Sequence, residues 1–179
     1  MSYSIRIAKR SNIPAIENLI SRSVRKLGAT DYTPEQIEGA LVAAWGVDTQ
    51  LIDDKTYFAV EAVNELVGCG GWSFRETLFG NDTESDRNPA KLDPANDAAK
   101  IRAFFVEPAH TRRGIGSMVM RECEAAARAM GFRNLELMAT LPGQQLYLSH
   151  GFTASEPVEY PIGGNLTITF VPMGKVLSD

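Results

Sequence analysis

The sequence predicts a single mixed α/β domain, and three observations lead to that prediction. The chain has 179 residues, of which 44% are hydrophobic, so it has the size and apolar content of one domain with its own core. Segments with strand-like alternation are interleaved with segments of helical spacing. Near the centre, an apolar strand runs through a basic, glycine-bearing turn into a helix. We therefore treat residues 1–179 as one domain.

The N-terminal part of the chain predicts one strand and two helices. Residues 4–8 alternate as a strand, and apolar residues then recur at helical spacing over residues 13–27. Gly28 provides a C-terminal stop for this first helix. Residues 33–36, Thr-Pro-Glu-Gln, form a capping box with proline at the first helical position, which predicts the start of a second helix.

An antiparallel hairpin is predicted next. Residues 56–60 and 66–72 are rich in β-branched and aromatic side chains, and a short polar turn at Asn64-Glu65 joins them. Glycines in the second strand predict a bulge or the close approach of another backbone. These glycines are Gly68, Gly70 and Gly71.

The chain becomes polar over residues 75–98, which predicts a long loop. Its carboxylates could attract an amine-bearing substrate, but a run of solvated charges is the favoured interpretation because loops are polar in general. The carboxylates are Glu76, Asp82, Glu84 and Asp86.

The C-terminal half predicts alternating strands and helices. A strand over residues 100–106 leads into the glycine-bearing turn, and the following helix ends at Gly131. Residues 134–139, 142–150 and 166–171 predict a strand, a short helix and a last strand that ends before Pro172. The buried face of the longer helix is predicted to carry Ile115, Val119, Cys123, Ala126 and Met130.

The turn over residues 112–117 has the properties of a phosphate site. The first N–H groups of a helix have no partner within it, and the helix dipole makes that end positive. Gly114 and Gly116 let a ligand approach the amides, while Arg112 and Arg113 add positive charge. A plain loop with two solvated arginines is the alternative, because short glycine motifs are common.

Two nucleotide-binding motifs fit this turn poorly. A dinucleotide fingerprint needs a small third residue, and Val119 stands in that place. A nucleoside-triphosphate loop needs a lysine after its last glycine, whereas Ser117 follows Gly116 here. Both interpretations are therefore set aside.

Residues 101–117 resemble the acetyl-CoA-binding core of the GNAT superfamily of N-acetyltransferases. The resemblance rests on the apolar strand, Pro108 and the basic glycine turn, with Thr111 where the family usually carries Gln or Arg. A second stretch, residues 146–152 (Leu-Tyr-Leu-Ser-His-Gly-Phe), resembles the family's Phe-Tyr-x-x-x-Gly-Phe. The resemblance covers essentially the whole chain and implies a mixed, mostly antiparallel central sheet with helices on both faces. The cofactor-binding residues that it implies are Phe104, Phe105, Val106, Arg112, Arg113, Gly114, Ile115, Gly116 and Ser117.

The resemblance also implies an activity. Family members bind acetyl-CoA and a primary amine together, and the amine of a small molecule or peptide attacks the thioester directly. Tyr147 matches the family's general acid, and a backbone N–H in residues 104–106 would stabilise the developing oxyanion. An aromatic side chain packed on the sheet is the alternative for Tyr147. For the whole protein, the alternative is a non-catalytic acyl-CoA-binding sensor or partner-binding module.

Several positions around this site stay open at the level of sequence. Thr140 and Gly143 stand where many members carry Asn and Ala. Tyr32 either lines the acceptor pocket, as the resemblance implies, or faces solvent from its loop. The general base is unassigned, and water is an alternative to any side chain. The candidates by position are Asp97, Glu107, Glu136 and His110.

Composition and charge limit the remaining function classes. A net charge of −4 and a pI near 5.3 disfavour binding to nucleic acid or to an anionic membrane. We find neither a signal peptide nor an apolar run of the roughly 20 residues that span a membrane, so we expect a cytoplasmic protein. Cys69 and Cys123 fit reduced, buried thiols, and His110 and His150 are too few for a metal site. Oligomeric state is open, with a symmetric homodimer through the C-terminal strands as the hypothesis.

Overall fold

Eight strands form one sheet in this computed structural model, which describes residues 2–82 and 88–177. The strands are β1 (Ser4–Ile7), β2 (Tyr57–Ala62), β3 (Glu65–Ser73), β4 (Ala98–Val106), β5 (Asn134–Thr140), β6 (Thr153–Ala154), β7 (Val158–Gly163) and β8 (Leu166–Val176). Their order is β1-β2-β3-β4-β5-β8-β6, and β7 also pairs with β8. Within the described residues, all paired strands are antiparallel except β4 and β5. The predicted mixed, mostly antiparallel sheet is confirmed.

Helices cover both faces of this sheet, as predicted. They are α1 (Ile13–Leu27), α2 (Pro34–Ala43), α3 (Thr49–Asp53), α4 (Ile115–Ala129) and α5 (Gln144–Ser149). Short 3-10 turns precede α1, α4 and α5, at Arg10–Asn12, Pro108–His110 and Leu141–Gly143. One apolar core lies between the sheet and the apolar faces of α1 and α2, and a second lies between the sheet and α4. Both faces of the central strands are therefore buried.

Local sequence signals placed the first elements correctly. Helix α1 ends at Gly28, as predicted. The capping box is also confirmed, because Thr33 Oγ1 accepts from the Gln36 amide at 3.2 Å and Gln36 Oε1 accepts from the Thr33 amide at 2.9 Å. The hairpin turn lies one residue earlier than predicted, at Val63 and Asn64, whose φ angles are +49° and +65°. Positive φ at both positions matches the twist of a tight hairpin.

The prediction that the last strand ends before Pro172 is wrong. Strand β8 continues through Pro172 to Val176. The Pro172 carbonyl accepts from the Ser155 amide at 2.8 Å, so its missing N–H faces the gap between β6 and β7 and leaves the pairing with β5 intact. Strand β7 (Val158–Gly163) also forms in a segment for which the sequence predicted no helix or strand.

Two features of the helices also differ from prediction. Met130 is 47% exposed rather than buried, because α4 ends at Ala129 and Met130 is the residue that follows it. The five-residue helix α3 was not predicted, since one turn and a half is too short to show helical periodicity. Its N-terminus is capped by Asp48, whose Oδ1 accepts from the Gln50 amide at 3.0 Å.

Strands β4 and β5 separate soon after they begin. They pair only from Ala98 opposite Asn134 to Lys100 opposite Glu136, and β5 then continues alongside β8. The predicted irregularity in β3 is confirmed, because the register with β2 shifts between Val60 and Glu61 and leaves Val67 as an extra residue on β3. The register between β3 and β4 also shifts, between Cys69 and Gly71, and there the extra residue lies on β4. Opposite this shift, Ala103 has a φ of +55°. The outer half of β4 therefore borders a gap in the sheet.

A buried ion pair fixes β4 against the start of α3. Arg102 and Asp48 are 2% and 1% exposed, and Arg102 donates to Asp48 Oδ2 at 2.7 Å. The same guanidinium donates to the carbonyls of Thr77 and Gly80 at 2.7 and 2.9 Å. Removing one partner of such a pair leaves a buried charge uncompensated.

The Asp48→Asn variant tests the importance of this pair. Asparagine keeps the side-chain cap of α3 but removes the charge, so we expect the free energy of unfolding to fall by roughly 3–5 kcal/mol. Glu38→Gln is the matched control, because the Arg25–Glu38 pair is solvent-exposed and its loss should change stability little. Urea denaturation measures both variants. Equal losses of unfolding free energy in the two variants would contradict a special contribution of the buried Arg102–Asp48 pair to stability.

Candidate functional site

A cavity of about 860 Å³ occupies the gap between β4 and β5. Tyr147 and all but one of the residues predicted to bind the cofactor line it, although they come from β4, the turn before α4, the first turn of α4, and α5. Arg113 is the exception: it is exposed on the outside of the turn. The predicted residues on the wall are Phe104, Phe105, Val106, Arg112, Gly114, Ile115, Gly116, Ser117 and Tyr147.

The turn presents a helix N-terminus to this cavity. Gly114 precedes the first residue of α4 with a φ of +82°, and Arg112 also has a positive φ, +61°. Backbone that enters the left-handed region before a helix turns successive N–H groups toward one point, which is an anion-binding arrangement. Among the described residues, no side chain caps this helix end, and a Cβ added to Gly114 would meet nothing within 4 Å. The residues present therefore fit a bound phosphate group.

Gly116 joins this turn to the helix that carries Tyr147. A Cβ at Gly116 would lie 2.8 Å from Leu146 Cδ2, so a larger residue here would require the Leu146 side chain to shift. His150 Nε2 lies 2.9 Å from Ser117 Oγ and adds a second link between the two helices. Burial lowers the pKa of His150, which favours the neutral imidazole in this hydrogen bond.

Tyr147 belongs to both the core and the cavity wall. It is 9% exposed, and its ring packs against Phe104 and Phe152 with centroids 6.1 and 5.9 Å apart. Burial raises the pKa of the Tyr147 hydroxyl well above its ordinary value, so the proton stays on the oxygen at physiological pH. Thr140 and Gly143 line the same region, where a Cβ at 143 would press on Thr140 Oγ1 at 3.0 Å.

The carboxylates considered as general bases lie elsewhere. Glu107 binds Arg22 at 2.7 Å, and Glu136 pairs with Lys100. Asp97 accepts from the Asp93 amide at 2.7 Å near the start of β4. These three carboxylates are not among the residues that line the cavity.

Other polar candidates are also accounted for. His110 lines the cavity, and its Nδ1 lies 3.1 Å from the Tyr3 hydroxyl. In the long loop, Glu76 accepts from the Asn88 side chain, and Asp82 accepts from the Thr49 amide at 3.0 Å. The two other loop carboxylates, Glu84 and Asp86, lie outside the described residues.

The far end of the cavity is built from segments that the sequence did not connect to the site. Tyr32 is buried there rather than solvent-facing. Its hydroxyl donates to the Thr169 carbonyl at 3.0 Å and accepts from the Leu141 amide at 2.8 Å, and burial raises its pKa to about 12. Sequence spacing carried no signal for the other members, which meet only in the fold. They are Val24, Leu27, Trp45, Phe79, Met138 and Phe170.

The cavity also contains a cysteine that stays protonated. Cys69 is buried on β3, and burial raises the pKa of its thiol to about 12. The Tyr57 hydroxyl contacts Cys69 Sγ at 3.2 Å and donates to the Ala103 carbonyl at 3.1 Å. Cys69 and Cys123 are both free, as predicted.

The described residues contain no group of three or more His, Cys, Asp or Glu side chains able to hold a metal ion. In residues 2–82 and 88–177, no helix has the length and apolar character needed to cross a bilayer.

Comparison with known proteins gives a family and a fold. The family model for the acetyltransferase (GNAT) family matches residues 15–152. A GCN5-related N-acetyltransferase from Rhodopseudomonas palustris has a TM-score of 0.72 at 18% identity, covering 99% of this chain and 97% of that one. The PaiA N-acetyltransferase of Thermoplasma acidophilum, solved with coenzyme A, has 0.66 at 15% identity, with coverage of 98% and 99%. The putative acetyltransferase YncA of Salmonella typhimurium, solved with acetyl-CoA, has 0.65 at 15% identity, with coverage of 100% and 96%. A search of curated protein sequences found no match.

Thiol labelling tests the environment of the cavity cysteine. Since the thiolate is the reactive form, the raised pKa of Cys69 should keep it nearly unlabelled by iodoacetamide at pH 8 in the folded protein. In urea, both cysteines should react at the rate of an ordinary thiol. Mass spectrometry counts the adducts. Rapid labelling of Cys69 in the native protein would show that its thiol is neither buried nor protonated.

Proposed function

We propose, because this chain belongs to the GNAT family of acetyltransferases, that it transfers an acetyl group from acetyl-CoA to a primary amine of a small molecule or peptide. The observation that carries the proposal is the open N-terminus of α4, which faces the same cavity as Tyr147. Two structural neighbours, solved with coenzyme A and with acetyl-CoA, support the choice of cosubstrate.

In this proposal the turn before α4 holds the pyrophosphate of acetyl-CoA. The first-turn amides around residues 114–117 would donate to the phosphate oxygens, and each such hydrogen bond to a charged acceptor contributes roughly 1.5–3 kcal/mol. Arg112, exposed at the cavity mouth, adds positive charge. The acyl end would then extend into the gap beside β4.

The amine attacks the thioester directly. Cys69 is the thiol on the wall, and its raised pKa removes the thiolate that a covalent mechanism would need. Holding amine and thioester together is worth up to roughly 7–11 kcal/mol in favourable intramolecular models. The carbon–nitrogen bond forms as the carbon–sulfur bond breaks, and the acetyl group passes in one transfer to the amine.

The wall supplies the groups for charge and proton transfer. A backbone N–H in residues 104–106, where β4 is not paired with β5, would donate to the acyl oxygen as its negative charge develops. Tyr147 would donate its proton to the departing sulfur. The candidate carboxylates do not line the cavity, so the proton lost by the amine would pass to water or to His110, the candidate base that is on the wall.

A pair of substitutions at Gly114 tests the phosphate site. Gly114→Asp places a negative charge at the helix N-terminus, whereas Gly114→Asn places a neutral side chain of the same shape in the same left-handed backbone. We expect acetyl-CoA to bind the Asp variant at least about tenfold more weakly than the Asn variant. Isothermal titration calorimetry measures both. Equal affinities would remove this turn from cofactor binding.

A second pair of measurements tests Tyr147. We expect Tyr147→Phe to reduce turnover by roughly 10²–10⁴-fold while acetyl-CoA binding is unchanged, because phenylalanine keeps the ring packing and lacks the hydroxyl group that would donate the proton. Free-thiol release across a panel of amines reports turnover.

Because the pKa of Tyr147 is raised, wild-type turnover should not decline from loss of the Tyr147 proton between pH 7 and about 10. Binding of acetyl-CoA without thiol release for any amine would favour a sensor instead.

A further inference from the structure

The two ends of the cavity differ in chemistry. The end at α4 presents backbone amides and Arg112, whereas the opposite end presents mainly apolar and aromatic side chains from α1, the segment after α2, the long loop and β8. We call this opposite end the acceptor end and define it by Val24, Leu27, Tyr32, Trp45, Phe79 and Phe170. We infer that the acceptor is a primary monoamine whose remaining part is apolar and uncharged, such as an alkylamine or an arylalkylamine. This inference rests on the proposed function.

The aromatic walls of the acceptor end are fixed by their packing. The rings of Tyr32 and Trp45 have centroids 5.7 Å apart, and those of Phe79 and Phe170 are 5.6 Å apart. Phe79 also packs edge-to-face on Tyr160 at 4.8 Å. Such pairs hold a preformed apolar surface, which favours a ligand that presents apolar area.

Charge complementarity points the same way. Of the described residues that line the cavity, none is an aspartate or a glutamate. A second ammonium group, as in a diamine or polyamine, would lose its hydration here without gaining a carboxylate partner among the described residues. The acceptor end therefore disfavours amines with two or more positive charges.

A substrate carboxylate is disfavoured as well. Arg102 is the cation of β4 on this wall, and its guanidinium is bound to Asp48 and to the carbonyls of Thr77 and Gly80. A carboxylate would have to compete with Asp48 inside a buried network. The Tyr32 hydroxyl is likewise engaged with Thr169 and Leu141, so it offers little to a polar substrate. Free amino acids therefore fit poorly.

Two matched substrate pairs test the inference on the full-length protein. Hexylamine and 1,6-diaminohexane have the same chain and differ by one ammonium group, while phenethylamine and phenylalanine differ by one carboxylate. We expect kcat/KM to be at least about tenfold higher for the monoamine in each pair, since the extra charge is desolvated without a partner. Mass spectrometry of the acetylated product confirms the site of transfer.

A negative charge introduced into the cavity wall should reverse the preference for hexylamine over 1,6-diaminohexane. Leu27 lines the acceptor end and is half-buried, so Leu27→Glu places a carboxylate at its edge without burying it fully. We expect this variant to acetylate 1,6-diaminohexane better than hexylamine. Leu27→Gln is the matched control, because it has the same shape without the charge and should keep the preference for hexylamine. A reversal in both variants would show that the effect is not electrostatic.

Binding is measured separately from turnover, so that the two proposals fail in different ways. The shift in Tm with each amine is recorded in the presence of coenzyme A. Preference for the diamine or for phenylalanine, in turnover or binding, would overturn the inference and leave the acetyltransferase proposal standing. Binding of the monoamines without any acetylation would support the inference and overturn the proposed function. Absence of monoamine binding would overturn the inference.

Discussion

The early separation of β4 from β5 is the constraint on which the rest of the site depends. Backbone N–H and C=O groups need partners, and neighbouring strands normally provide them to each other. Here the parallel pairing covers three positions, and the outer half of β4 borders a cavity instead of a strand. The bulge at Ala103 accompanies this separation, and the Tyr57 hydroxyl holds its carbonyl from the core side. Sheet geometry therefore produces both the opening and the polar backbone that faces it.

Electrostatics of the site follow from where the acidic residues are paired. The protein carries a net charge of −4, which would by itself repel a polyanionic cosubstrate. Yet Asp48, Glu107 and Glu136 are each bound to a basic side chain, and none of them lines the cavity. The turn keeps the positive end of α4 and two exposed arginines, Arg112 and Arg113. Because these acids are paired with basic side chains, the local electrostatic potential at the turn does not follow the negative net charge of the whole molecule.

The features that could be predicted from sequence were those specified by local residues. The capping box at Thr33, the stop at Gly28 and the glycine-rich irregularity in β3 each depend on a few neighbouring positions, and each was correct. The continuation of β8 through Pro172 depended on the gap between its partners β6 and β7 on one side of the strand, which the local sequence around Pro172 does not reveal. The same reason explains why the cavity was predicted only in part. The glycine-bearing turn before α4 is contiguous in sequence, whereas Trp45, Phe79 and Phe170 come together only in the folded protein.

The anchoring of the long loop has a consequence for how such a protein diversifies. An isolated bridge between Arg75 and Lys91 closes the loop at its base, and the Arg75 guanidinium binds Asp54 through two hydrogen bonds and the Pro89 carbonyl through a third. Lengthening a loop whose ends are already held together costs little additional entropy. Insertions and deletions inside it can therefore reshape the wall near Phe79 while β3, β4 and the turn before α4 keep their positions. Under the proposed function, acceptor selectivity and acyl-donor binding therefore depend on separate parts of the chain.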